Sequence, residues 1–299
     1  MRYLYLGRVG YADGLRLQAE MVRLCFEGRV GNVLLLLEHP PVLTLGRNAS
    51  RANILATSQM LAARGVTLHE INRGGDVTYH GPGQLVGYPI FDLRKTRNPA
   101  TGTRLGPVDF VRLMEEALIG LCGEFGVAAG RICGLTGVWV LADGNPLDER
   151  CGTKSKASDP PLGERKVGAI GIHVSRGITS HGFAFNATTD MDGFQLINPC
   201  GITDRPVTSL EREIALAGAA APAEGLELER LAKRAAAQFG RVFEEPVEEA
   251  ASLEALDEAL AGVARQIREA QAGPVVGVPL KTPKEIERLR ERGEQPVRA

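Results

Sequence analysis

Several patterns are missing from this chain of 299 residues, and each absence narrows the reading. The cysteines, Cys25, Cys122, Cys133, Cys151 and Cys200, are odd in number and include no C-x-x-C pair, which argues against a disulfide framework and a zinc site. The histidines include no H-x-x-x-H pair. No apolar run exceeds the length of Val33 to Leu37, far too short to cross a bilayer. The N-terminus, MRYLYLGRVGYADGLRLQAE, lacks the apolar region and cleavage site of a signal peptide. Lys plus Arg number 35 against 36 Asp plus Glu, so the net charge of −1 makes no global case for a nucleic-acid partner. The expectation is a cytoplasmic protein with no metal, no nucleic acid and no membrane partner.

What is present reads as alternating strands and helices. Residues 2 to 8 suit a short strand, and Gly14 to Glu27 an amphipathic helix with Leu15, Ala19, Val22 and Phe26 on one stripe. Val33 to Glu38 suits a central strand, His39-Pro40-Pro41 breaks it, and Val42 to Leu45 resumes the extended run. Ser58 to Arg64 reads as helix and Val66 to Ile71 as strand. Leu85 to Phe91 is another strand, and Val108 to Phe125 a helix whose apolar face includes Cys122. Asp143 to Arg165 is polar and rich in Lys, Asp and Pro, a surface loop in which Cys151 is incidental. Ala217 to Gly225 reads as a linker. Beyond it, Leu226 to Val242 and Leu253 to Ala270 are amphipathic helices, the second with Leu253, Leu256, Leu260, Val263 and Ile267 at heptad spacing. Thr282-Pro283-Lys284-Glu285 has the form of a capping box opening a tail helix. Nothing after residue 243 looks catalytic, so this part reads as a solvated or partner-facing appendage.

Chemistry concentrates between Lys166 and Gly201. Lys166 precedes a strand-like run, Val167 to Val174. A turn is expected at Arg176 to His181, then a short apolar run, Gly182 to Phe185. Cys200 sits in Asn-Pro-Cys-Gly, where Pro fixes one dihedral and Gly frees another. The thiolate is the nucleophilic form of cysteine, and a nearby ammonium favours it and can carry its proton. Against this stands the plainer reading of Cys as a small buried hydrophobe and Lys as solvated surface. A second dense stretch, Asn72 to Tyr88, puts two glycines after Arg73 and the polar aromatics Tyr79 and His80 before a Gly-Pro-Gly turn. Glycines let backbone approach a ligand closely, though such a loop also serves folding alone. It is not a phosphate loop. Arg47, at a strand end, is as readily a surface charge as a ligand.

Taken together, RGGDVTYHGPGQLVGY at 73–88, GLTGVWV at 134–140, KVGAIGI at 166–172, SRGITSHGFAFN at 175–186 and INPCGI at 197–202 resemble the octanoyltransferases of lipoate biosynthesis, over roughly residues 1 to 215. The resemblance implies an α/β (α+β) fold, a mixed β-sheet flanked by helices as in biotin and lipoate protein ligases. It implies a catalytic domain at 1–215, leaving 216–299 as a linker and helical C-terminal extension. It makes Cys200 the nucleophile and Lys166 its proton carrier. It makes Arg73, Gly74, Gly75, Asp76, Val77, Thr78, Tyr79 and His80, then Ala169, Ile170 and Gly171, then Gly182, Phe183 and Ala184, three acyl-substrate-binding stretches. No cofactor is implied. The implied donor is octanoyl-acyl carrier protein. The implied acceptors are lipoyl domains of 2-oxoacid dehydrogenase E2 subunits and the glycine cleavage H protein. Apolar residues of Val167–Ile172 and Leu85–Ile90 are candidates to line an acyl tunnel, and Arg47, Arg73 and Arg176 to form a basic rim for acidic partners. Three alternatives stay open: an ATP-dependent lipoate or biotin ligase, a cysteine hydrolase, and a non-catalytic lipoyl-domain binder.

Overall fold

Every residue of β2 (Val33–Glu38) is buried, as an unbroken apolar run requires of a strand covered on both faces. Leu34 and Leu36 point into one core, while Val33, Leu35 and Leu37 point into another. The computed structural model describes residues 1–140, 163–199, 205–218 and 225–273. Cys200, Cys151, most of the 143–165 loop, much of the linker and the tail helix lie outside the described residues.

Around β2 the described strands build a mixed sheet. β1 (Arg2–Arg8) pairs with it in parallel, and the short β11 (Glu248–Glu249) in turn pairs parallel with β1. On the other side β6 (Gln84–Ile90), β10 (Ile178–Asn186), β9 (Arg165–Ser175), β8 (Leu135–Val140) and β7 (Ala129–Ile132) follow in antiparallel order. A small second sheet holds β3 (Val42–Leu45) between β4 (Thr67–Glu70) and β5 (Val77–His80). Its own core gathers Leu43, Val77 and Tyr79 with Leu61 of α2 (Ser58–Ala63) and with Phe194, Leu196 and Ile197.

Helices cover both faces of the large sheet. α1 (Tyr11–Phe26) lies on one, and α3 (Pro107–Gly123) on the other, with Cys122 in that core as its stripe implied. α4 (Leu210–Leu216) closes the end beside β9, where Arg165 is paired with Glu213 at 2.7 Å.

The C-terminal helices differ from the expectation of an appendage. α5 (Leu228–Phe243) packs beside α3 and puts Leu231, Ala235, Phe239 and Phe243 into the same core as Leu34 and Phe183. The helix expected from Leu253 to Ala270 is broken. α6 (Leu253–Leu256) stops at Asp257, which turns extended and caps a short 3-10 turn at Glu258–Leu260 before α7 (Ala261–Ala272). Arg29 holds Asp257 there through an ion pair at 2.5 Å. The heptad-spaced residues Leu253, Leu256, Leu260 and Ile267 are buried with Leu4, Leu17 and Met21 of this same chain, so their stripe faces inward and not towards a partner.

One further local expectation changes. The chain does not turn at Arg176 to His181. It turns at Arg176-Gly177, and β10 runs straight through His181 with Ser180 opposite His173 and His181 opposite Ile172. His181 takes a positive φ of 56° within the strand, and its N–H leaves the ladder to donate to Gln18 Oε1 of α1 at 2.7 Å.

Candidate active site

Between the two sheets lies a pocket of about 430 Å³, within the usual size range for small-ligand sites. Its walls come from β9 and β10 on one side and from β5 and the loop before it on the other, with Tyr11, Val86 and Tyr88 at one end. The turn Gly134–Thr136 and Lys166 close the opposite end.

Strand periodicity decides which predicted residues reach this space. Thr78 and His80 of β5 line it, while Val77 and Tyr79 point the other way into the small sheet's core. On β9, Lys166, Ala169 and Gly171 share the pocket face at an uneven spacing. A β-bulge explains it: Val138 pairs with Gly168 but Trp139 with Lys166, leaving Val167 as an extra residue aimed into the core. Arg73, Gly75, Asp76, Ile170, Gly182, Phe183 and Ala184 also line the pocket, and Gly74 does not. Gly74 instead docks the loop, its N–H donating to the Ile172 carbonyl at 3.0 Å. A Cβ on Gly171 would stand 2.7 Å from the Gly74 carbonyl oxygen, so the loop's approach to β9 requires glycine there. Of the two tunnel strands, Val86 and Ala169 face the pocket, whereas Leu85 and Val167 belong to the core behind it.

Arg73 is not a rim residue. It is 9% exposed, and its guanidinium donates to the Thr44 carbonyl and hydroxyl, both at 2.9 Å, and to the Gly74 carbonyl at 3.0 Å. Asp76, opposite, accepts from the Ser50 and Val77 N–H groups at 3.1 and 2.7 Å and from the Asn53 amide at 2.5 Å. Arg47 is exposed beside Asn48 of the pocket mouth. Arg176 lies at the β9–β10 turn with its guanidinium 4.3 Å over the Phe26 ring, outside the pocket lining.

Sequence reasoning missed the roles of Tyr11, Asn48, Thr136 and His181 in the lining. His181 stood in a block already singled out; Tyr11 carried no signal, because only the fold brings the start of α1 to this place. With Tyr88, His39 and His80 it forms an aromatic end wall in which the Tyr11 and His80 rings stack at 6.0 Å. His39 donates from Nδ1 to the Val9 carbonyl, and its Nε2 shares a hydrogen bond with the Tyr88 hydroxyl, both at 2.6 Å. Gln84 donates to the Tyr79 carbonyl at 3.2 Å and to Asn186 at 2.9 Å, which turns its Oε1 to accept from His80 Nδ1 at 2.8 Å.

Burial is the main cause that lowers the pKa of His39 to about 4, of His80 to about 3 and of His181 to about 4; the Arg73 charge pushes the last two further down. The sign follows from linkage. Above pH 6.5 these rings are neutral whether folded or not and contribute nothing. As pH falls below 6.5 the unfolded chain takes up protons that the folded one refuses, so stability declines until the folded values are reached. Each ring is expected to cost roughly 2 kcal/mol by pH 5. Urea unfolding at pH 7 and pH 5 checks this; equal stability at both would mean that the folded rings accept protons.

Burial pushes the Cys25 thiol up to about 11 and the Cys122 thiol higher still, so neither is a nucleophile. Lys166 is 8% exposed and pairs with no carboxylate among the described residues. Its backbone N–H donates to the Pro206 carbonyl at 2.9 Å, and its carbonyl accepts from Thr208 N–H at 2.9 Å. Upstream, Asn198 N–H donates to the carbonyl of Asn53, whose side chain holds Asp76. The described residues on both sides of 200–204 are thus fastened to opposite walls of one pocket. No group of three metal-ligating side chains occurs among the described residues, and no described helix is long and apolar enough to cross a membrane.

Residues 10–240 match the family model of the lipoyl protein ligase A/B catalytic domain. The chain is similar to an octanoyltransferase of Acidobacterium capsulatum, 55% identical over 81% of this chain and 90% of that one. An octanoyltransferase of Koribacter versatilis is 46% identical over 83% and 86%. Among solved structures, a bi-partite lipoate protein ligase from Thermoplasma acidophilum shares the fold, with a TM-score of 0.55 at 16% identity over 90% of this chain and 91% of that one. The chain belongs to the octanoyltransferases of the lipoyl protein ligase A/B family, acyltransferases of protein lipoylation.

Proposed function

We propose that the chain moves an octanoyl group from octanoyl-acyl carrier protein to the target lysine of lipoyl domains, through a thioester on Cys200, with Lys166 as the proton carrier. The acceptors in this reading are lipoyl domains of 2-oxoacid dehydrogenase E2 subunits and the glycine cleavage H protein. The observation that supports it most is Lys166, a buried amine paired with no carboxylate among the described residues, at the end of a pocket that Ala169, Gly171 and Ala184 help to line, with the segment six residues after Cys200 bonded to its backbone.

In the first half-reaction the Cys200 proton passes to Lys166 and the sulfur attacks the thioester carbon. A C–S bond forms to Cys200, the bond to the phosphopantetheine sulfur breaks, and that sulfur takes the proton from Lys166. In the second, the acceptor lysine's amine attacks the same carbon. A C–N bond forms, Cys200 leaves as thiolate, and Lys166 carries the amine's proton back to it. Exchange between thioesters is nearly balanced and amide formation runs downhill, so neither half needs ATP. The octanoyl chain lies along Ala169, Gly171 and Ala184 of the two strands, with Arg73 to His80 closing over it. Residues 1–215 carry this chemistry, and Arg47 at the mouth is the candidate for steering acidic partners.

Intact mass after mixing with octanoyl-acyl carrier protein tests the reading. One octanoyl group is expected, labile to hydroxylamine, absent from Cys200→Ala and cleared by adding a lipoyl domain. A wild-type protein that gains no mass would overturn it, and octanoate with ATP would then be tried for the ligase reaction.

A further inference from the structure

Lys166 enters the pocket across the face of the chain's only tryptophan. Trp139 is its cross-strand partner on β8, is 1% exposed, and has its ring centroid 4.7 Å from the Lys166 Nζ. Such a pairing of ammonium and indole face is attractive, and most so away from water.

Two features of the backbone make room for it. The bulge at Val167 sets Lys166 opposite Trp139 instead of one residue out of register. Gly137, at φ 128°, clears the path: a Cβ there would lie 2.9 Å from Lys166 Cε and 2.6 Å from the Gly168 carbonyl oxygen. The Gly137 N–H donates at 2.9 Å to Glu115, a carboxylate with no exposure that also accepts from Arg112 at 2.7 Å and Arg131 at 3.2 Å. The turn beside the lysine is therefore pinned from behind by a buried ionic network.

The indole itself is oddly placed for a purely structural residue. Its Nε1–H is buried and finds no hydrogen-bond partner among the described residues, which is unfavourable. Ile132 and Leu135 hold the ring by packing alone. Phenylalanine would fill most of this space without an unpaired donor, so stability does not call for tryptophan. The ammonium does, because indole presents the strongest face to a cation.

We infer that Trp139 is a positioning residue for the transfer reaction: its ring face holds the Lys166 amine at the reacting end of the pocket, in a slot kept open by Gly137 and Glu115. This rests on Lys166 being the proton carrier, as proposed above.

Octanoyl transfer from acyl carrier protein to a lipoyl domain is the assay. Trp139→Leu is expected to lower kcat by about 10- to 30-fold with KM for the donor unchanged, and Trp139→Phe by about threefold. Trp139→Phe should unfold at the same temperature as the wild type or higher, so stability and rate move apart. In a Lys166→Ala background, Trp139→Leu should cause no further loss. An equal loss in both backgrounds would assign Trp139 a structural part only and overturn the inference, as would full activity of Trp139→Leu. Full activity of Lys166→Ala alone would remove the reading of Lys166 on which it rests, and is read separately.

Discussion

Lys166→Ala is expected to slow octanoyl transfer about a thousandfold, the middle of the range for loss of a positioned acid–base group. The effect should be chemical and not a collapse of the fold. Lys166 is paired with no carboxylate among the described residues, so its truncation strands no buried charge; it removes aliphatic packing over Trp139 and little else. The two half-reactions should both suffer, because the same amine moves a proton in each. Lys166→Arg should not restore the rate. Guanidinium keeps the charge but does not release a proton near neutral pH, and it replaces a compact ammonium with a wider planar fork. Rapid mixing with octanoyl-acyl carrier protein, followed by intact mass against time, separates acyl-enzyme formation from transfer. A Lys166→Ala rate within tenfold of the wild type would show that the proton travels by another route.

Truncation after residue 218 is expected to leave no soluble folded protein, and Phe239→Ala to cost about 3–5 kcal/mol. Phe239 has no exposure; it stacks on Phe183 at 5.6 Å and on Phe243 at 5.6 Å. Phe243 in turn meets Phe91 at 5.1 Å and Phe110 at 5.5 Å. Through this chain of rings α5 supports Phe183, which lines the pocket on the opposite side of the sheet. Removing α5 deletes Leu231, Ala235, Phe239 and Phe243 from this core and uncovers the sheet face beneath, Leu34 and Phe183 included. At roughly 1.5–3 kcal/mol for each large side chain, that loss is comparable to the whole stability of an ordinary domain. Soluble yield and urea unfolding of both variants provide the check. A well-folded, active truncation would restore the view of the C-terminal part as a separable appendage.

Why that view failed lies in the residues themselves. Leu228 to Phe243 shows its apolar stripe openly, but a stripe states only that something covers it. Whether the cover is a partner or the protein's own sheet depends on the path after residue 218. In the structure Pro246, Glu248 and Ala250 are tied to Met1 and Tyr3 at the sheet's edge, which brings both later helices home. The single helix expected from Leu253 failed for a local reason. Asp257 makes a better cap than a helix interior residue, and Arg29, far away in sequence, holds it in place.

By itself the sequence determined the elements and the chemical residues. The all-apolar run of β2 suits a two-faced central strand, because a strand covered on both faces hides five consecutive apolar side chains. The glycine-rich blocks are where backbone must approach backbone, as at Gly171 against Gly74. Residue types that can carry a thioester and a proton are visible as letters, and Lys166 stands out for that reason. Only the tertiary structure decided which of these meet. A one-residue bulge sends Val167 inward and brings Lys166 to the pocket face, and strand alternation divides Thr78 and His80 from Val77 and Tyr79. Packing set Arg73 inside the site, brought Tyr11 to its end wall and kept three histidines neutral. Burial, register and charge state are properties of neighbours, and neighbours distant along the chain are chosen only by the fold.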